Sequence, residues 1–191
     1  MKNIKVFRGF SFIELVMVMA IIGILAGAGT WIMGYTVKNS VFIPNQLNMD
    51  KLANDALEVM IEGDGQARGL RFSRIISTIA ANQVAFINQD GVAIIYRWDT
   101  SANRLYRKIG SAAETIIPAY ASGLSGVTLS GKSGVLFTYY DANEALTSNA
   151  ANVRRIKMIL IAKSGTGLYN DWQGQSEQVS SVAVKRLGVG I

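Results

Sequence analysis

Cysteine and histidine are both missing from this chain of 191 residues. The two absences exclude a good deal of chemistry. A Ser-His-Asp triad, a cysteine nucleophile and a zinc ion on His or Cys ligands are impossible. Disulfides are impossible as well, so an exported domain must be held by its own core. There is no Gly-x-Ser-x-Gly elbow, and no catalytic carboxylate pair can be located. The expectation is a chain that is not an enzyme and carries no cofactor or metal. Charge is also sparse, 17% of residues against 50% hydrophobic, which argues against disorder. What charge there is leans basic, with 19 Lys+Arg, 13 Asp+Glu and a net +6. That excess suggests nucleic acid or an anionic membrane only if it lies on the folded part.

It does not all lie there. Lys2, Lys5 and Arg8 fall within residues 1–9, which hold no acid. From Phe10 to Val37 the one charge is Glu14, and Leu15–Met33 is an uncharged run of 19 residues. As a helix that run rises about 29 Å, enough to cross a bilayer core. Basic residues ahead of it predict a cytoplasmic N-terminus and an exported remainder. Ala26-Gly27-Ala28 also reads as a signal-peptidase site, which would make the segment a removable signal sequence. Two features oppose that reading. An unpaired Glu14 costs about 2–3 kcal/mol at the bilayer centre, less near the interface, and a signal sequence gains nothing from it. Helical periodicity also continues, with Met49, Leu52, Ala53, Ala56 and Met60 on one face. Pro44 is expected to kink the helix or open a local break, and Gly63 and Gly65, around Asp64, to end it.

The run Arg8-Gly9-Phe10-Ser11-Phe12-Ile13-Glu14-Leu15-Val16 resembles the cleavage and methylation motif of type IV pilins and type II secretion pseudopilins. The resemblance implies cleavage after Gly9 by a prepilin peptidase and N-methylation of Phe10. It also implies assembly through Glu14, whose carboxylate would pair with the Phe10 amine of a neighbouring subunit and fix register. A carboxylate among apolar helices needs such a cation, or it is protonated instead. The alternative is an interfacial acid that only snorkels to the headgroups. The implied partners are other pilin or pseudopilin subunits, the peptidase, an inner-membrane assembly platform and, before assembly, membrane lipid. The implied location is the bacterial inner membrane with the C-terminal part periplasmic, then a filament.

The layout expected is α+β: a leader at 1–9, a transmembrane assembly helix at 10–37, an amphipathic helix at 38–63 and a β-rich domain at 64–191. Val84–Asn88 and Val92–Trp98 alternate around a Gln89-Asp90-Gly91 turn; Asp99–Asn103 reads as the next turn and Arg104–Ile109 as a strand. Further strands are expected at Gly126–Leu129, Val135–Tyr140, Val153–Lys163 and Gln178–Leu187. Together they imply a mainly antiparallel sheet with the helix packed on one side. Tyr139-Tyr140-Asp141 and Val153-Arg154-Arg155-Ile156 resemble J-type minor pseudopilins and W-type minor pilins. The disulfide loop of many pilins is absent, and Pro44 lies later than the proline often found in the pilin membrane helix.

Three other patterns carry possible chemistry. Gly126–Ser133 satisfies G-x-x-x-x-G-K-[ST], but strand-like residues surround it, so a β-hairpin turning at Gly131-Lys132-Ser133-Gly134 is expected instead of a phosphate loop. Asp141, Asn143 and Glu144 offer calcium-type oxygens but read as a solvated turn. Arg68, Arg71 and Arg74, then Arg97, Arg104, Arg107 and Lys108 with Tyr96, Trp98 and Tyr106, then Arg154, Arg155 and Lys157 form basic groups. The second group suggests stacking on single-stranded DNA, against the plainer reading of a solvated sheet face. Cleavage after Gly9 would leave 16 basic and 13 acidic side chains, so half of the +6 is a topology signal.

Overall fold

The computed structural model describes residues 11–124, 126–164 and 174–184. The chain divides into two compact units, Met1–Val41 and Phe42–Ile191. Helix α1, Phe12–Ile61, supplies the described part of the first unit and the opening element of the second. It stays helical through Pro44, so the local break expected there is not present. Pro44 removes one donor and leaves the Ser40 carbonyl without its partner; both residues are exposed, so water can satisfy that carbonyl.

In the second unit α1 buries the expected stripe, Met49, Leu52, Ala53, Ala56 and Met60, together with Leu57. Each large side chain contributes about 1.5–3 kcal/mol on burial. Gly63 ends the helix with φ +94, the left-handed conformation that glycine adopts cheaply. A Cβ there would sit 2.1 Å from the Ala67 carbonyl oxygen. The chain then turns through a two-residue ladder, β1 (Gly63–Asp64) against β2 (Ala67–Arg68), where the sequence suggested only a helix stop.

Five strands form an antiparallel meander: β3 (Ser73–Ala80), β4 (Gln83–Asn88), β5 (Ala93–Asp99), β6 (Arg104–Ile109) and β7 (Thr115–Ile116). The β4–β5 turn is closed by Asn88, whose Oδ1 accepts from the Asp90 and Val92 amides, with Gly91 at φ +78. The β5–β6 turn is closed by Asp99, whose Oδ1 accepts from the Ser101 and Ala102 amides. Both turns and β4 to β6 lie where the alternation put them. Strand β3 was not expected. It forms the edge of this sheet, and its register against β4 shifts twice, between Ser73 and Ile75 and between Ile76 and Thr78.

The second sheet centres on β10 (Arg155–Lys163), whose residues Ile156, Met158, Leu160 and Ala162 point into the core. Strand β11 (Gln175–Ala183) pairs along its whole length on one side. On the other side β8 (Thr128–Gly131) pairs with residues 160–163 and β9 (Phe137–Tyr140) with residues 155–158. The expected hairpin between β8 and β9 is thus corrected. Both run antiparallel to β10 and follow one another along its edge, because β10 supplies the hydrogen bonds that a hairpin partner would have supplied. The expected turn is there, a bridge of Lys132 to Val135 with Ser133 at φ 51 and Gly134 at φ 82, but it is an excursion from one edge. At Gly131 a Cβ would meet the Val135 carbonyl at 2.4 Å. Of the strand expected at Gln178–Leu187, residues 185–187 lie outside the described residues. The fold is α+β, a long N-terminal helix with antiparallel sheets, as expected.

Candidate processing and assembly site

Gly9 and Phe10, the expected cleavage and methylation positions, lie outside the described residues. Two residues on, the helix opens on a reciprocal cap. The Ser11 amide donates to Glu14 Oε2 at 2.8 Å, and the Glu14 amide donates to Ser11 Oγ at 3.3 Å. Ser11 Oγ also donates to Glu14 Oε2 at 3.0 Å. This is a capping box, which satisfies two helix-end amides that would otherwise lack partners. Glu14 therefore has a second role that the sequence reading missed. The signal was available, because Ser-x-x-Glu ahead of an apolar run is the capping-box pattern.

Beyond Glu14 the first unit is apolar and uncovered. Every residue from Ser11 to Lys38 is exposed, including Phe12, Leu25, Trp31 and Met33. The helix is long and apolar enough to cross a membrane, with a mean hydropathy of 2.3 over its most apolar window. Its hydroxyls are satisfied internally. Thr30 Oγ1 donates to the Gly27 carbonyl at 2.9 Å, and Thr36 Oγ1 to that of Ile32 at 2.9 Å. That bonding allows hydroxyls to sit in hydrocarbon. Trp31 and Tyr35 stack with ring centroids 6.2 Å apart where the run ends, the residue types that favour a membrane–water interface.

The second unit absorbs most of the other candidates into structure. Tyr96 and Trp98 are buried, so neither can present a ring face to a base. Arg97 is paired with Glu114 at 2.6 Å and Asp99 at 3.1 Å, and Arg104 donates to the Ala121 and Leu124 carbonyls. Arg107 is 4% exposed and pairs with Asp64 at 2.8 Å while donating to Gln66. Burial raises the Asp64 carboxyl pKa, but the Gln66 amide, Arg107 and the Ala67 amide together hold it below the usual carboxylate range. Of the first basic group, Arg68 pairs with Asp90 and Arg71 with Glu62. Arg155 stacks on Tyr140 at 4.5 Å and faces Glu144 at 3.7 Å.

Asp141 Oδ1 accepts from the Asn143 and Ala145 amides, the bonding of a turn. Among the described residues no group of His, Cys, Asp and Glu is placed to hold a metal ion. Lys132 pairs with Glu177 at 2.7 Å, and no helix follows Ser133 to face a phosphate.

Among the described residues, Ser11–Lys38 is thus an apolar run left exposed throughout. Comparison with curated proteins finds no match, and comparison with solved structures finds none. Residues 4–30 match the family model described as the prokaryotic N-terminal methylation motif. That match supports a type IV pilin-like, prepilin-processed N-terminus in this chain.

Proposed function

We propose that this chain is a structural subunit of a pilin-like filament. A prepilin peptidase cuts after Gly9 and the new N-terminal Phe10 is methylated. The mature chain rests in the inner membrane with its β-rich domain in the periplasm, then joins a filament through its N-terminal helix. In this reading it acts without catalysis, cofactor or metal. One coincidence carries the reading: the methylation motif at residues 4–30 overlaps an uncovered apolar helical run, Ser11–Lys38, whose one acid is Glu14. Assembly gives that surface a partner and gives Glu14 a cation, the Phe10 amine of a neighbour. The finer reading is a minor subunit of a type II secretion pseudopilus or a type IV pilus, supported by the likeness at Tyr139–Asp141 and Val153–Ile156.

Intact mass of the membrane-extracted chain tests this. Loss of residues 1–9 with one added methyl group supports it, whereas loss of residues 1–28 marks a plain signal peptide and overturns it. The DNA-binding reading on the same scaffold is disfavoured by the burial of Tyr96 and Trp98.

A further inference from the structure

One side of β11 is an open row of backbone donors and acceptors. In an antiparallel ladder the N–H and C=O of one residue point the same way, and successive residues alternate. At Gln175 both groups point away from β10, because they bond to the Gln46 side chain. The register to β10 then runs without a shift from Gln175 to Ala183. Glu177, Val179, Ser181 and Ala183 therefore turn the same groups outward, and among the described residues they meet no further strand. Backbone groups without a partner in the fold are satisfied by water or by another chain.

Sheet edges are usually blunted by bulges, proline or lysine. The edge at β3 has two register shifts, whereas β11 has none and holds no proline, lysine or arginine. The far end of β11 opens on a cleft of about 410 Å³ between Ser181, Val182 and Ala183 on one side and Arg71, Phe72 and Gln89 on the other. A further strand has room there. The near end carries a free charge. The Gln46 Nε2 that donates to Gln175 also reaches Asp50 Oδ1 at 3.5 Å, and among the described residues Asp50 forms no ion pair. Lys51, the next residue, lies over the Tyr120 ring, and the Glu177 carboxylate is already paired with Lys132.

We infer that β11 is extended by a strand of a different polypeptide, which pairs with the outward groups of Glu177 to Ala183 and sets a lysine or arginine beside Asp50. Two nearer occupants do not meet these demands. Residues 185–191 follow β11, but through the tightest two-residue turn they reach back no further than Ser180. Glu177 and Val179 would stay uncovered. A second copy pairing through its own β11 brings no cation to Asp50, because that strand has none. Recognition at this edge is led by the backbone, with Asp50 and the cleft reading side chains. The inference goes beyond the filament reading and is independent of it, since it uses no residue of the N-terminal segment.

The probe is a fluorescent nine-residue peptide of alternating threonine and valine with a lysine at each end. Its anisotropy with the full-length chain in detergent micelles should show saturable binding. Two N-methylated forms read the geometry. Methylating every second amide in one frame should weaken binding about tenfold or more, while the other frame leaves it nearly unchanged. Val179→Pro removes one outward amide and no bond to β10, so it should keep the thermal transition and weaken binding about tenfold. Should that variant unfold, Ser181→Pro makes the same test. Asp50→Lys should weaken binding about threefold, and a peptide ending in glutamates should recover it. No saturable binding up to about 1 mM overturns the inference, as does indifference to both methylation frames. Binding that needs deletion of residues 185–191 marks the chain's own end as the occupant and overturns it. A full-length dimer cross-linked through Val179→Cys and dissolved by the peptide marks a second copy and overturns it too. None of these outcomes bears on the filament reading, which intact mass tests separately.

Discussion

Gln46 and Gln175 hold each other by two hydrogen bonds: Gln46 Nε2 donates to the Gln175 carbonyl at 2.8 Å, and the Gln175 amide donates to Gln46 Oε1 at 3.1 Å. A helix side chain thereby satisfies the first backbone groups of β11, as a neighbouring strand would. The approach is close, since a Cβ on Gly174 would lie 2.6 Å from the Asn45 carbonyl. Gln46→Ala should cost about 1–2 kcal/mol, two modest net hydrogen bonds. Gln46→Glu keeps the acceptor but sets a carboxylate against the Gln175 carbonyl and the Asp50 carboxylate, so in the same urea titration it should cost at least as much as Gln46→Ala.

Glu14 caps its own helix, and under the proposed function its charge is a second, separable task. Glu14→Gln keeps a side chain able to close the capping box but removes the charge. Ser11→Ala removes the hydroxyl half of the cap, leaving its amide bonded to Glu14, and keeps the charge. The expected outcome is that Glu14→Gln is inserted and cleaved but fails to enter filaments, as does Glu14→Ala. Ser11→Ala should still enter them, with a loss of about 1 kcal/mol in helix stability. Immunoblots of sheared filaments and membranes separate the cases, and normal incorporation of Glu14→Gln would remove the case for pairing.

Arg107 is buried and Asp64 balances it, so Asp64→Asn leaves a nearly enclosed cation without its counter-charge. A fully buried pair costs 3–5 kcal/mol to break; with the Asp64 side chain 36% exposed, about 2 kcal/mol is expected. The folded carboxyl titrates below its unfolded value, so the contribution is complete above pH about 4 and is lost as pH falls through the folded value. The gap in stability between the native chain and Asp64→Asn should therefore narrow from neutral pH toward pH about 3. Urea midpoints across that range measure it.

The phosphate-loop lookalike yields a reversed pattern of sensitivity. Gly131→Ala drives a Cβ into the backbone of Val135 and should destabilise by about 3 kcal/mol or more. Lys132→Ala removes an exposed ion pair to Glu177 and should cost under about 1 kcal/mol. Thermal unfolding ranks the two. Saturable ATP binding lost on Lys132→Ala would overturn the structural reading of this turn.

How legible the fold was depended on how local its causes are. Strands β4 to β6 alternate cleanly and are joined by short turns closed by Asn88 and Asp99, so neighbouring residues sufficed to place them. Strand β3 buries Ser73 and Ile76, three residues apart, because its irregular register replaces the period of two that marks a strand. The turn at Lys132–Val135 was visible in its glycines. Its partner was not, since β8 and β9 bond to a strand lying about twenty to thirty residues further along the chain. At the N-terminus, Glu14 stood out by charge in an apolar run. Its bond to Ser11 needed the helix start to be placed first. Arg107 read as one of a solvated group, and only the helix end beside Asp64 explains its burial.

The irregular register of β3 has a consequence for a chain held at high local concentration. Arg74-Ile75-Ile76-Ser77-Thr78-Ile79 is rich in residues that favour strand-on-strand growth, and it occupies a sheet rim. Two shifts within eight residues break the even row of amides and carbonyls that an incoming strand would need. Ribbon-like fibres are thereby discouraged at this border. A contact at this rim then depends on side chains, which discriminate between partners, and not on the backbone, which accepts any strand.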